Sequence, residues 1–281
     1  MLYMNKLLSA ENISEYAVID FDKLSVKNPR LLPEDVDVKS TLVILMPYRH
    51  KNITVKDGLN AGLFARCKDY HGYFAQLAKR LIPTLEGFSG GRVLGFADHS
   101  PIDEKGAALM CGLGFMGKNG LLINKRYGSY VFIGEFLFEK RLPELLHKTD
   151  GTCLNCGACI KACPTNAICH SGTDIRNCLS FISQKKKKAE EDTSLLSEHR
   201  TLWGCDICQE TCPHTIAAKR NGTVYSPIPF FQEASIPELT LSIFDEMSDT
   251  EFAGRAYAWR GRDTIRRNLL LFEEEKGEHK C

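Results

Sequence analysis

Nine of the 12 cysteines fall between Cys153 and Cys212, and their spacing constrains this chain more than any other feature. The first run reads Cys153-x2-Cys156-x2-Cys159-x3-Cys163-Pro164. Gaps this short let three thiolates converge on one iron–sulfur cubane, while the fourth cysteine turns away to serve a second cluster. The second run, Cys205-x2-Cys208-x3-Cys212-Pro213, is one cysteine short of the same pattern. Cys178 is the better candidate for the missing ligand. Cys169, in the strand-like Ala167–His170, is its rival. With Cys178, crossing the fourth cysteine of each run divides eight thiolates into two sets. Cys153, Cys156, Cys159 and Cys212 make one, and Cys163, Cys178, Cys205 and Cys208 make the other. Each set fills one 4Fe–4S cluster. Paired four-cysteine zinc sites are the competing metal reading, but zinc knuckles rarely interlock in this way.

A disulfide framework would also explain many cysteines, and compartment decides between the two. The opening MLYMNKLLSAENISEY has no charged region leading into an apolar run and cleavage site. No apolar stretch reaches the roughly 20 residues that span a bilayer. The expectation is a cytoplasmic chain with no membrane segment, whose thiols stay reduced and bind metal. Of the other cysteines, Cys67, Cys111 and Cys169 are expected to be buried as small hydrophobes, with Cys281 ending the chain.

Lys and Arg total 36 against 35 Asp and Glu, a net charge of +1. That balance excludes coating of nucleic acid or membrane by bulk electrostatics. Only local patches remain: Lys185–Lys188 in the polar stretch Ser183–Arg200, and an Arg-rich helical end, Phe252–Glu275, carrying Arg255, Arg260, Arg262, Arg266 and Arg267. Each has an alternative as ordinary solvated surface.

Only Cys67 and Cys111 precede residue 150, which marks a boundary near Thr149–Thr152. Before it the pattern alternates. Leu42–Pro47 is an apolar run suited to a buried strand, and Asp69–Phe88 carries a helical stripe through Tyr70, Phe74, Leu77, Leu81 and Leu85. Arg92–Ala97, Gly120–Asn124 and Ser129–Glu139 are further strands, with a helix over Ile102–Leu113. This is an α/β or α+β sandwich. Two interlocked clusters move single electrons, and a chain spending half its length on such a sandwich feeds them to something held there.

Asp98 stands directly after the strand Arg92–Ala97, where α/β folds place ligand groups. A helix N-cap explains the same residue equally simply. The loop Gly112–Gly120 is Gly-rich and lets backbone approach a large ligand, yet it matches neither a dinucleotide fingerprint nor a Walker loop.

Together these segments resemble the epoxyqueuosine reductase family. The matching stretches are Pro29-Arg30-Leu31-Leu32, Lys68-Asp69-Tyr70-His71, Asp98-His99-Ser100-Pro101, Gly112–Asn119, Gly128-Ser129-Tyr130 and Gly134-Glu135, with the cysteine runs, Cys178 and Trp203-Gly204-Cys205-Asp206. The resemblance covers about residues 28 to 270. It implies an α+β protein in three parts. Residues 1–148 form a nitroreductase-related cobalamin-binding catalytic domain, 149–225 a ferredoxin-like double 4Fe–4S domain, and 226–281 a short helical tail.

The resemblance further implies reduction of epoxyqueuosine to queuosine in the tRNA anticodon stem-loop. Reduced cobalt attacks the epoxide-bearing ring, and Asp98 donates the proton as the oxygen leaves. Such an acid is expected to have a raised pKa. Asp98, Gly114, Gly117, Lys118, Asn119, Gly128 and Ser129 fall where the family holds the corrin. A reductase, flavodoxin or ferredoxin is the implied electron donor, and the chain is expected to be a monomer. Two departures stand out. His99-Ser100-Pro101 replaces a Thr/Ser-Ala-Pro-like run, and the HEAT-like repeats of full-length members are not present before Cys281. The alternatives are a corrinoid reductase with a small-molecule substrate, dehalogenase-like, or a ferredoxin-type electron carrier.

Overall fold

The computed structural model describes residues 2–51, 61–233 and 235–278, with side chains as far as Phe272. Cys281 lies outside the described residues. The chain opens with helix α1 (Leu2–Ala10) and strands β1 (Tyr16–Asp20) and β2 (Ser40–Pro47). Helices α2 (Leu63–Arg66) and α3 (Tyr70–Ser89) lead to β3 (Val93–Phe96) and α4 (Glu104–Met110). A small hairpin, β4 (Phe115–Met116) with β5 (Leu122–Ile123), precedes β6 (Val131–Phe138).

The main sheet runs β1-β2-β6-β3, and every pairing is antiparallel. It is therefore an α+β arrangement, not a parallel doubly wound one. All eight residues of β2 are buried because both faces of the sheet are covered. Period-two alternation sends Leu42, Ile44 and Met46 into one core with Leu77, Leu81 and Leu85 of α3. Val43 and Leu45 enter the opposite core with Ala107 and Ala108 of α4. The helical stripe, the strands over 92–97 and 129–139, and the helix near residue 104 all form as the pattern predicts. Gly90, in left-handed backbone at φ 73°, ends α3 by donating its N–H to Glu86.

The second half is built from short helices: α5 (Ala158–Ala162), α6 (Leu179–Ser183), α7 (Glu190–Glu198), α8 (Ile207–Glu210) and α9 (Pro213–Arg220). The tail adds α10 (Leu241–Glu246), α11 (Asp249–Ala253) and α12 (Arg262–Glu278). The single helix expected over Phe252–Glu275 is instead broken at Gly254–Gly261, where Gly261 has φ 85°. Val224, Ile228 and Phe231 pack into the sheet's own core, so the chain returns to the first layer after its cysteines. The last helices form a separate core around Trp203 with Phe244, Phe252 and Leu269. No helix among the described residues is long and apolar enough to cross a membrane.

Candidate active site between the cysteine helices and the sheet

The two cysteine runs fold around each other. Asn155 and Gly157 have left-handed backbone, at φ 51° and 73°, and bend the first run before α5. Cys178 and Cys212 stand at the N-termini of α6 and α9, where their thiols face inward. Cys153, Cys156, Cys159 and Cys212 then line one cavity of about 20 Å³. Cys163, Cys178, Cys205 and Cys208 line a second, much larger groove of about 640 Å³. The last cysteine of each run lines the cavity of the other set, the grouping that the spacing anticipates. Cys169 belongs to neither. It is exposed and bonds locally to Ser171 and Gly172, which corrects the expectation that it is buried. Cys67 and Cys111 are buried core residues as expected.

The thiol sets carry an electrostatic cost. Burial pushes Cys205 up to about 12, with Asp206, Cys178 and Cys163 adding repulsion. Cys208 is pushed up by burial and then by Cys205, Asp206 and Cys178. Cys159 is raised by burial and by Cys153 and Cys212. Four thiolates lining one cavity are favourable only around a compensating cationic core, and that donor set fits an iron–sulfur cluster.

The sheet supplies the other side of the large groove: Tyr48 at the end of β2, Val131 and Phe132 of β6, and Asn119 and Ser129 from the loops. Phe132 stacks between Tyr48 and Tyr70, at 4.4 and 3.9 Å between ring centres. Ser129 donates from Oγ to Oε1 of Gln209 at 2.8 Å, tying the loop to the cysteine helix α8. Asn119 lines both cavities, is 7% exposed, and leaves its Nδ2 without a partner. Lys118 lines the small cavity, with its Nζ on the carbonyl of His170.

The glycines of these loops answer to their own packing. A Cβ on Gly114 would meet the carbonyl of Ile123 at 2.6 Å, and one on Gly117 would collide with Asn119. Gly128 adopts φ 62° against Thr215. Tyr48, Phe132 and Gln209 were not singled out by sequence. Phe132 sits in a period-two strand that reads as core, and Gln209 is marked only by lying between two cluster cysteines.

Asp98 follows β3 in left-handed backbone, at φ 65°. It is not a helix cap: Asp103 holds that position, accepting from the N–H of Gly106. Asp69 caps α3 through the N–H of His71. The His71 ring bridges the two acids, with Nδ1 2.8 Å from Asp69 Oδ1 and Nε2 3.5 Å from Asp98 Oδ2. His71 is pushed up to about 9, by its bond to Asp69 first and then by Asp98. The bond to His71 in turn holds Asp98 below the usual carboxylate range. The raised pKa expected of Asp98 is thus not present. Its side chain is 67% exposed, too open for burial to outweigh a cation alongside it. Asp98 does not line the groove itself. His71 stacks on Tyr70, and Tyr70 on Phe132, which does.

The basic residues divide by partner. Arg255 is 2% exposed and bonded to Glu251 and to the carbonyl of Arg66. Arg262 and Arg266 pair with Asp249 and Asp245. Lys188 and Arg267 converge on the carbonyl of Lys185, at 2.6 and 3.5 Å. Burial beside Arg267, Lys185 and Arg260 pushes Lys188 down to about 8. Arg260 lies 4.0 Å over the ring of Trp259, which is 60% exposed.

Residues 152–215 match the 4Fe-4S double cluster binding domain family. An epoxyqueuosine reductase of Leadbetterella byssophila is 32% identical over 270 residues, covering 92% of this chain and 84% of that protein. One from Gloeobacter violaceus is 34% identical over 208 residues, covering 73% of this chain and 63% of its own length. The solved epoxyqueuosine reductase of Streptococcus thermophilus superposes with a TM-score of 0.76 at 26% identity, over 96% of this chain and 80% of that one. A second solved enzyme, crystallised with an epoxyqueuosine-modified tRNA stem loop, has the same fold at a TM-score of 0.75 and 22% identity, over 96% of this chain and 80% of that one. Identity at this level over most of both chains, with the crossed cysteine sets at its centre, means that the chain belongs to the epoxyqueuosine reductase family.

Proposed function

We propose that this chain reduces epoxyqueuosine to queuosine in the tRNA anticodon loop, using cobalamin in the large groove and electrons passed through two 4Fe–4S clusters. The observation that carries the reading is the groove's construction: Cys163, Cys178, Cys205 and Cys208 form one wall, and the aromatic edge of the sheet forms the other. A group held there touches the second cluster on one side and Phe132 on the other, and Tyr70 separates Phe132 from His71 and Asp98. The residues suit a corrin. The groove offers about 640 Å³, an apolar wall from Tyr48, Val131 and the edge of Phe132, and an unpartnered amide on Asn119. When bound, cobalamin supplies the low-potential reducing centre that opens the epoxide.

Taking an epoxide to an alkene consumes two electrons and two protons and releases water. This chain's residues supply the first proton, to the oxygen as the ring opens, and solvent supplies the second as that oxygen leaves as water. Asp98 is ionised at rest beside a protonated His71, so the imidazolium is the nearest proton store, 3.5 Å away. A large apolar cofactor and a nucleoside covering Asp98 exclude water, which favours its neutral form and moves the proton from His71 Nε2 to Asp98 Oδ2. Asp98 then donates to the leaving oxygen. Asp69 keeps the His71 ring oriented.

Cys153, Cys156, Cys159 and Cys212 take the outer cluster, and Cys163, Cys178, Cys205 and Cys208 the inner one. Lys118, Asn119, Ser129 and the Gly114, Gly117 and Gly128 turns shape the space between cofactor and clusters. Residues 1–148 act as the cofactor domain, 149–225 as the cluster domain and 226–281 as the tail. The protein works as a cytoplasmic monomer fed by a flavodoxin, a ferredoxin or their reductase. The Lys188, Arg260 and Arg267 patch, with the exposed Trp259, suits phosphate and base contacts on the tRNA.

The test is anaerobic turnover of an epoxyqueuosine-containing stem-loop by the full chain, reconstituted with iron, sulfide and cobalamin. Queuosine in the nuclease digest is the expected product. If cobalamin binds and the clusters reduce but no queuosine forms, the substrate assignment fails.

A further inference from the structure

Behind the Asp98 loop lies a pair of acids that the function above does not use. Glu135, in β6, is 0% exposed, and neither of its carboxylate oxygens closes a well-formed hydrogen bond. Its polar neighbours are Glu104 and Ser100. The Ser100 hydroxyl accepts from the N–H of Ile102 at 3.2 Å and keeps its own proton, which makes it the one neutral donor facing Glu135. One hydroxyl does not offset the loss of water around a carboxylate that also faces a second acid, and a proton removes the problem. Protonated Glu135 becomes a donor, and the acceptor beside it is Glu104. Two carboxyl groups in contact do not both ionise, so their titrations belong to the pair.

Glu104 has a second bond. Its Oε1 accepts the backbone N–H of Asp98 at 2.6 Å. Asp98 is the residue held at φ 65°, a conformation that a side chain with a Cβ adopts only when its surroundings impose it. The turn is also fixed by the N–H of His99 on Ala97 and that of Ser100 on Asp98. Glu104 is the one side chain among these contacts, and it reaches the loop from the first residue of α4.

We propose that Glu104 and Glu135 share one proton near neutral pH, and that the charge left on Glu104 positions the Asp98 loop by holding its N–H. Uptake of a second proton from solvent weakens that hold. Both are positioning residues, acting on the reaction only through Asp98. Burial pushes Glu104 up to about 7, and burial together with Glu104 pushes Glu135 well above the carboxylate range. The other titratable groups facing the pair are Tyr70, His71 and Asp69 on α3, and Asp98 on the loop. His71 stays charged across this range, Asp98 stays ionised, and Tyr70 is held neutral by burial. None of these changes charge near neutrality, so the pair is the group that titrates there.

The loop's importance for turnover rests on the acid role of Asp98 proposed above, whereas the shared proton does not. Infrared titration of the full chain, without substrate, reads the proton directly. The wild type is expected to keep a buried protonated-carboxyl band at about pH 8.5, and to gain a second with a midpoint near 7. Glu135→Gln loses the first band and Glu104→Gln the second. Both replacements keep the size of the side chain, and the amide that Glu135→Gln introduces still donates to Glu104. In turnover, the wild type falls about tenfold between about pH 8 and about pH 6, as one group with a midpoint near 7 requires. That acid limb disappears in Glu104→Gln and moves to lower pH in Glu135→Gln. Absence of the high-pH carboxyl band, or its survival in Glu135→Gln, overturns the shared proton. Bands as expected but an acid limb retained in Glu104→Gln overturn the positioning role. Full turnover by Asp98→Asn sinks the acid assignment alone and leaves the infrared result standing.

Discussion

The two cysteine sets use identical ligands in opposite surroundings. The set containing Cys153 closes around about 20 Å³, beside the exposed Cys156 and Leu154. The set containing Cys205 opens onto about 640 Å³ and faces the sheet. A 4Fe–4S core fills only the small space that its four thiolates enclose, so most of the larger volume is left for a second occupant, and only one set has it. The comparison gives the electron path a direction: in at the set near the surface, and out at the set that shares a wall with the groove.

The largest effects test the crossing. Cys163→Ala is expected to remove the groove cluster although Cys163 belongs to the first run, and Cys212→Ala the outer cluster although it belongs to the second. Each variant loses about half its iron, and turnover falls below detection because the path is serial. Electron paramagnetic resonance separates them: an added cobalamin perturbs the remaining cluster signal in Cys212→Ala and not in Cys163→Ala. The reverse pattern would mean that the sets do not cross.

Next in size is the acid. Asp98→Asn is expected to lower the single-turnover rate by about 10²–10⁴-fold, the usual worth of a positioned proton donor, with cofactor binding unchanged. His71→Asn costs less, on the order of tenfold, because solvent can still charge Asp98 slowly. His71 also carries a stability signature. Its pKa is raised from 6.5 to about 9, so folding favours its charged form. That contribution is complete below about pH 6.5 and is lost as the pH rises through about 9. Thermal unfolding of the wild type is therefore expected to weaken from pH 7 to pH 10 more than that of His71→Asn, and equal slopes would remove the ion pair.

How much of this was legible in the sequence depended on distance along the chain. The grouping of the eight cysteines on two cavities was, because the two short runs carry their geometry in their gaps and Cys178 was the best-placed candidate left for the eighth place. The sheet was, because both its faces are buried and β2 is apolar from Leu42 to Pro47. The environment of Asp98 was not. Its pKa is set by His71, 27 positions earlier, and its backbone by Glu104, and no local pattern announces either contact. Cys169 misled for a related reason: its neighbours suggested a buried strand, but the two-residue strand Ile168–Cys169 turns the thiol outward. The arginines were legible by type and not by partner, since Arg255 is an internal strut.

That last division gives the smallest effect, and it separates arginines paired with acids from the crowded cations around Lys188. Lys188, crowded by Arg267, Lys185 and Arg260, is a half-buried cation pushed down to about 8, and an approaching phosphate relieves the crowding. Lys188→Ala is expected to weaken stem-loop binding by a few-fold and to reduce the slope of log affinity against log salt by about one, whatever the loop sequence. Arg266→Ala, whose guanidinium is already paired with Asp245, is expected to change that slope by much less. The contribution of Lys188 also fades between about pH 7 and about pH 9, as the lysine loses its proton through about 8. Equal slopes for the two variants would mean that the tRNA passes over another face and that the Lys185–Lys188 turn is ordinary solvated surface.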